Sequence, residues 1–294
     1  WPLLTALPVF YALGLGGSIL GGASGRVIGL ALAFLFVLGI NRFLPGAIDH
    51  HNIQLGLIAT IAACLILPGR PPAASAFALA MAASLTAAFF ITVPPSSYGV
   101  VACDALSTGF YSLGVVGAGM FFIAVSTVSA RGFAVRLTGL AGVGAATFGL
   151  ALLTASQCLG NPLASLDPLL VSMWLNNVTE AQSIVSQVRA EPWTAGGFYL
   201  VPLLAMILCV RRILQGRYVH AHGVLLALIA VSWAITLIQV RGAVFANMLS
   251  AIPFAALVAG FRTRSNADPK NLRKGLAFAG AAFASVPFVW ALSG

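Results

Sequence analysis

The sequence predicts an all-α polytopic membrane protein, and three observations carry that prediction. Of 294 residues, 60% are apolar and only 7% charged, with a mean hydropathy of +1.01, whereas a soluble domain carries about a quarter charged residues. Low charge with high hydrophobicity equally excludes disorder. The apolar residues fall in long uninterrupted runs such as Ile53 to Pro68; strands of an outer-membrane barrel would alternate polarity over segments of roughly 10 residues. Helices that satisfy their own backbone groups are the remaining way to span lipid.

Ten runs are visible, at 2–20, 26–41, 53–68, 74–93, 105–129, 136–156, 194–210, 222–240, 242–261 and 274–292. They predict about ten transmembrane helices in a single transmembrane domain over 1–294. The charges follow the same alternation. When the connections are assigned in turn to two sides, all but Arg42, Arg189 and Arg241 of the 15 basic residues fall on one side. By the positive-inside rule that side is cytoplasmic. The net charge of +9 is therefore an orientation signal and not a nucleic-acid surface.

The acids sort the other way. Asp49, Asp104, Asp167, Glu180 and Glu191 lie on the outer side, leaving only Asp268 among the cytoplasmic basic residues. Acids contribute little to orientation, so their clustering suggests chemistry or metal binding on the outer face. The start at Trp1, inside an apolar run and without Met, predicts a truncated N-terminus that lacks at least one span and the first outer loop.

Most connections are short, and the exception is the outer segment 157–192. Long loops in compact domains are usually functional or disordered, and Leu169, Leu170, Val171, Met173, Trp174 and Leu175 argue against disorder. The stretch Pro168 to Val188 predicts one or two amphipathic helices on the membrane surface, with Trp174 and Trp193 as interfacial anchors. No internal repeat is visible, which counts against an inverted-repeat transporter.

The sharpest motif is Pro45-Gly46-Ala47-Ile48-Asp49-His50-His51-Asn52, between two spans. In an extended segment residues i and i+2 point the same way, so Asp49 and His51 can address one ion. Carboxylate with imidazole suits Mg²⁺, Mn²⁺ or Zn²⁺. Asn52 is positioned to cap the following helix, whose positive end would then stand beside a phosphate. The plainer alternative is a polar turn whose histidines hydrogen-bond locally.

Arg42 to Gln54, R-F-L-P-G-A-I-D-H-H-N-I-Q, resembles the second outer-loop motif of the catalytic subunits of oligosaccharyltransferases, members of the GT-C superfamily of membrane glycosyltransferases. Leu175 to Ser183, L-N-N-V-T-E-A-Q-S, is similar to the long outer loop whose glutamate completes that family's metal site. Val240-Arg241-Gly242 matches the place of an arginine that holds the phosphates of a lipid-linked donor. The resemblance implies a metal-dependent glycosyltransferase using a polyprenyl-phosphate or polyprenyl-diphosphate sugar on the outer face of a bacterial inner membrane. Asp49 and Glu180 would be catalytic, Asp49, His51 and Glu180 would hold a divalent cation (Mg²⁺ or Mn²⁺), and Arg241 and Arg42 would bind the donor. Membrane lipids are expected partners and nucleic acid is not. The family's W-W-D motif and soluble C-terminal domain have no counterpart, so the acceptor is left open and a bacterial relative with another acceptor is expected.

Other residues admit simpler roles. Arg42 can snorkel to the interface instead of contacting phosphate. Arg241 stands between two apolar runs with almost no loop, where a charge is a functional candidate. Asp104 can join the site or cap a helix, and Asp167, before Pro168, reads as a cap. His220 and His222 lie among cytoplasmic arginines, where a metal is not expected. Asn177-Val178-Thr179 fits a glycosylation pattern but overlaps the candidate site. Cys103 and Cys158 both lie near the outer, oxidising face and can pair or remain separate thiols at helix ends. The competing function is a polytopic transporter or lipid flippase, with Arg241 and Asp104 as pathway charges, although ionisable residues within spans are nearly absent.

Overall fold

The computed structural model describes residues 2–40, 43, 50–67, 71–103, 106–128, 131–159, 167–173, 183–192 and 195–291. Among these, every regular element is a helix, and six helices are long and apolar enough to cross a bilayer. The chain is a helical membrane protein. It divides into two compact units, residues 1–68 with 173–294, and residues 69–172.

The first unit begins with α1, Pro2–Gly39. Straight, its 38 residues would reach about 57 Å, nearly twice the ~30 Å hydrocarbon core. It is not straight. Gly22 takes φ 62° and ψ −154°, a left-handed conformation that glycine adopts without a Cβ penalty, and the chain folds back there. A Cβ on Gly29 would stand 2.6 Å from the Leu13 carbonyl oxygen, and one on Gly14 would stand 3.0 Å from Leu30 Cδ2. Residues 16 apart meet only if the two limbs run antiparallel.

Glycine also sets the packing of α1 on its neighbours α2 (His50–Ile66) and α10 (Gly242–Asn266). A Cβ on Gly16 would press Ile252 at 2.9 Å, one on Gly21 would meet Ala256 at 3.1 Å, and one on Gly56 would meet Pro8 at 3.3 Å. Lipid offers no hydrophobic drive for helices to associate, so close approach through small residues supplies the attraction. α8 (Val201–Leu214) and α9 (Val219–Ile238) complete a core in which Leu13, Leu55, Leu225, Ile229, Met248, Leu249 and Ile252 are fully buried. α10 is the hub, packing against α1, α2, α8, α9 and α11 (Leu272–Ala284). Its buried Ser250, and Thr236 of α9, return their hydroxyls to the Ala246 and Ser232 carbonyls at 2.7 and 2.8 Å. That local bond is how a hydroxyl tolerates an apolar surrounding.

Two predicted runs have different limits. The run at 194–210 starts as a π-helical turn, Gly196–Leu200, and continues in α8 to Leu214. The run at 274–292 is not one span: α11 ends at Ala284 and α12 covers Pro287–Ala291. Pro287 lacks the N–H that would continue α11 and its ring obstructs the preceding turn. The break is sealed by Ser285, whose hydroxyl donates to the Ala282 carbonyl at 2.6 Å, and by Trp290 Nε1, which donates to Ala284 O at 2.9 Å.

The second unit holds α3 (Pro71–Thr92), α4 (Thr108–Val128) and α5 (Phe133–Thr154). Apolar side chains such as Ile91 and Leu153 are 82% and 85% exposed, as lipid-facing residues should be. Between α3 and α4, Phe89 stacks on Tyr111 with centroids 4.3 Å apart and on Tyr98 at 5.1 Å. Cys103 and Cys158 form a disulfide, with Cα atoms 5.1 Å apart. Of the two alternatives open for these cysteines, pairing is the one found. Gln157 Nε2 donates to Val101 O at 3.3 Å, joining the two segments of the bridge, and Ser107 Oγ donates to Ala102 O at 2.9 Å within the Cys103 segment. Cys64 and Cys209 are free thiols.

Candidate functional site

The described part of the site lies where α9 turns into α10. α9 ends at Ile238 and α10 begins at Gly242, so Gln239, Val240 and Arg241 make the whole connection. Two hydrogen bonds tighten it, from Gly242 N to Gln239 O at 3.1 Å and from Ala243 N to Val240 O at 2.8 Å. Gly242 sits against α9 so closely that a Cβ would stand 2.7 Å from both Ser232 O and Thr236 N. The glycine of the V-R-G sequence thus has a steric role: it lets α10 start against α9 and fixes Arg241 at the head of α10. Arg241 is exposed there, and Val240 behind it is buried.

Immediately below, an apolar cleft opens along α10. Ala243, Val244, Asn247 and Ala251 form one wall, Leu32, Phe36 and Gly39 of the second α1 limb another, and Gly197, Phe198 and Phe288 close it. Three irregularities of the unit meet here: the π-helical turn, the α11–α12 break and a buried amide. Asn247 Nδ2 donates to Ala243 O at 2.9 Å and to Phe198 O at 3.3 Å, while its buried Oδ1 has no partner. With both N–H groups directed at carbonyls, the amide orientation is determined. π-helical turns recur at functional sites because they displace side chains from helical register.

The predicted site residues are only partly in view. Arg42, Asp49, Asp104 and Glu180 lie outside the described residues, as do Trp174, Trp193 and the Asn177-Val178-Thr179 sequon. His51 is in the first turn of α2, with its side chain outside the described set. Among the described residues, no three His, Cys, Asp or Glu side chains gather as a metal site would require.

Asn52 departs from the expected role. α2 begins at His50, so Asn52 falls inside its first turn and does not cap it; it is fully buried, and both side-chain polar atoms lack a partner. Asp167 does cap: its Oδ1 accepts from Leu169 N at 2.8 Å at the start of α6, Pro168–Met173. In the long loop the described helices are α6 and α7, Ile184–Ala190, where Ser183 Oγ accepts from Ser186 N at 3.4 Å. Gln187 of α7 is buried with both amide atoms unpartnered. His220 Nε2 meets Leu65 O at 3.0 Å, tying the start of α9 to the end of α2, and His222 Nδ1 meets Tyr218 O at 3.1 Å within the first turn of α9.

Asn247 and the cleft were not found from the sequence. The available signal was an amide in the middle of an apolar run, which by itself marks a functional or packing site. Compared with protein-family models, curated proteins and solved structures, the chain matches none.

Proposed function

We propose that the chain is a GT-C-type membrane glycosyltransferase, resembling oligosaccharyltransferases, that moves a sugar or glycan from a polyprenyl-phosphate or polyprenyl-diphosphate donor to an acceptor on the outer face of a bacterial inner membrane. The observation that carries this proposal is a fixed arginine above an apolar cleft. Arg241 heads α10, and the next turns of that helix line the cleft. Such a pair suits a ligand with an anionic head and a hydrocarbon tail: guanidinium binds phosphate through paired N–H donors, and the cleft shelters the chain from water.

In this reading the topology has about ten apolar runs, with the two limbs of α1 crossing separately, the last run broken at Ser285, and a long outer-face loop over 157–192. Orientation has two independent supports. Arg131 and Arg136 flank the connection between α4 and α5, whereas the disulfide joins the other ends of those helices. The positive-inside rule puts the arginines in the cytoplasm, and disulfides persist on the oxidising side.

Asp49, His51 and Glu180 form a donor set of two carboxylates and an imidazole that suits Mg²⁺ or Mn²⁺. A bound cation would neutralise the leaving phosphate. Arg241 supplies fixed positive charge to the same phosphate, Arg42 assists, and the cleft orients the lipid so that its phosphate faces the carboxylates.

Full-length protein in proteoliposomes with a polyprenyl-diphosphate sugar tests this. Release of polyprenyl diphosphate should require Mn²⁺ or Mg²⁺, stop with chelator, and fall at least about tenfold in Arg241→Ala, the cost of losing one charged hydrogen-bond partner. Movement of the intact lipid across the bilayer with no cleavage would favour the flippase.

A further inference from the structure

The basic end of the first unit has an arrangement that orientation does not require. α8 closes in a Schellman turn: Gly216 N donates to Ile213 O at 2.9 Å and Arg217 N to Arg212 O at 3.0 Å, with Gly216 at φ 67°. The turn brings Arg217 back beside Arg211 and Arg212 in the last turn of α8. Arg264, in the last turn of α10, a helix that packs against α8, adds its charge near Arg212. Arg264 is also held over the Phe261 ring, 5.7 Å from its centroid. Among the described residues no carboxylate pairs with any of the four. The one acid at this end, Asp268, is bound to Lys274 at 3.0 Å.

The positive-inside rule counts charges; it does not ask them to converge. Lys270 in the loop before α11, and Arg273 and Lys274 in its first turn, meet that rule. Four guanidiniums on a rigid turn and a neighbouring helix end, without a counter-ion, repel one another at the edge of a low-dielectric layer. An anion placed among them removes the repulsion. Their depth selects its source, because Arg211, Arg212 and Arg264 lie in the closing turns of membrane helices, level with lipid phosphates.

We infer that Arg211, Arg212, Arg217 and Arg264 form a binding site for the phosphate headgroup of an anionic phospholipid. The site is independent of sugar transfer. Guanidinium forks can grip one phosphate from several directions, and the acyl chains would lie along α8 and α10.

The test uses the full chain in neutral detergent, titrated with phosphatidylglycerol or phosphatidylcholine and read by native mass spectrometry. Phosphatidylglycerol should bind and phosphatidylcholine should bind at least about tenfold more weakly. Arg217→Gln and Arg264→Gln should each weaken phosphatidylglycerol about fivefold, the usual worth of one basic residue at a lipid surface. The triple variant Arg212→Gln, Arg217→Gln, Arg264→Gln should abolish the preference, whereas Lys270→Gln, Arg273→Gln, Lys274→Gln, with the same net charge, should keep it. If the first triple does not fold, the two single variants decide. Equal losses in both triples would reduce the effect to net charge and overturn the site, and displacement by millimolar inorganic phosphate would show a soluble-anion site instead.

Discussion

Gly17 and Gly25 face each other across the reversal of α1 so closely that a Cβ added to either would strike the carbonyl oxygen of the other. The obstacle is backbone on both sides and has no rotamer to escape into. Gly17→Leu and Gly25→Leu should therefore each cost more than the ~1–3 kcal/mol typical of overpacking. Gly142→Leu, on α5 with nothing within 4 Å of its Cβ position, is the control. Thermal unfolding in detergent checks this, and equal midpoints for Gly25→Leu and Gly142→Leu would exclude the hairpin.

Gly242 and Thr236 repeat the relationship at the candidate site, with the Thr236 N and Oγ1 atoms at 2.7 and 2.8 Å from a Cβ on Gly242. Gly242→Ala should push the start of α10 off α9 and move Arg241 with it. A loss of about 1–3 kcal/mol in stability should accompany a larger fall in sugar transfer than Gly223→Ala produces, since Gly223 has open space around it. Unchanged transfer by Gly242→Ala would separate Arg241 from the reaction.

These two contacts also mark where the sequence is readable. The limbs of α1 are legible as the separate runs 2–20 and 26–41, because the two together exceed any bilayer crossing. The turning residue is hidden, since Gly16-Gly17 and Gly21-Gly22 offer equivalent pairs and only tertiary contact chooses between them. The break at Ser285 was masked by continuous apolarity from 274 to 292, although Pro287 carried the signal. Asp167 was readable as a cap because capping is local in sequence; Asn52 was misassigned because α2 already includes His50, which puts Asn52 inside its first turn. Asn247 was overlooked because a single amide in an apolar helix gives no hint of the cleft that packing builds around it.

The Cys103–Cys158 bridge joins residues 55 apart and closes the loop between α3 and α4 onto the end of α5. Disulfides of this kind contribute about 2–4 kcal/mol. Cys103→Ser and Cys158→Ser should lower the thermal midpoint by the same several degrees, the double variant no further, because each removes the same bond. Additive losses would mean that the two sulfurs act separately.

Orientation is checked by labelling. Cysteines introduced beside Arg131 and Arg264 should resist a membrane-impermeant thiol reagent in intact cells and react after lysis, whereas one at Gln182 should react in both. Labelling beside Arg131 in intact cells would invert the protein and move the proposed donor site to the cytoplasm.

The strongest demand on the glycosyltransferase proposal is that Asp49 and Glu180, 131 positions apart in sequence, serve one cation. Two carboxylates brought together at a low-dielectric surface repel and raise each other's pKa, so their proximity is stable chiefly with a cation between them. Glu180→Gln and Asp49→Asn should each keep the wild-type thermal midpoint in chelator yet lose the stabilisation that Mn²⁺ gives the wild type, which grows as RT ln(1 + [Mn²⁺]/Kd). The double variant should be no worse than either single one, since the two act as a unit. Mn²⁺ stabilisation that survives Glu180→Gln undiminished, with Asp49→Asn still abolishing it, would leave Glu180 a solvated residue of the long loop.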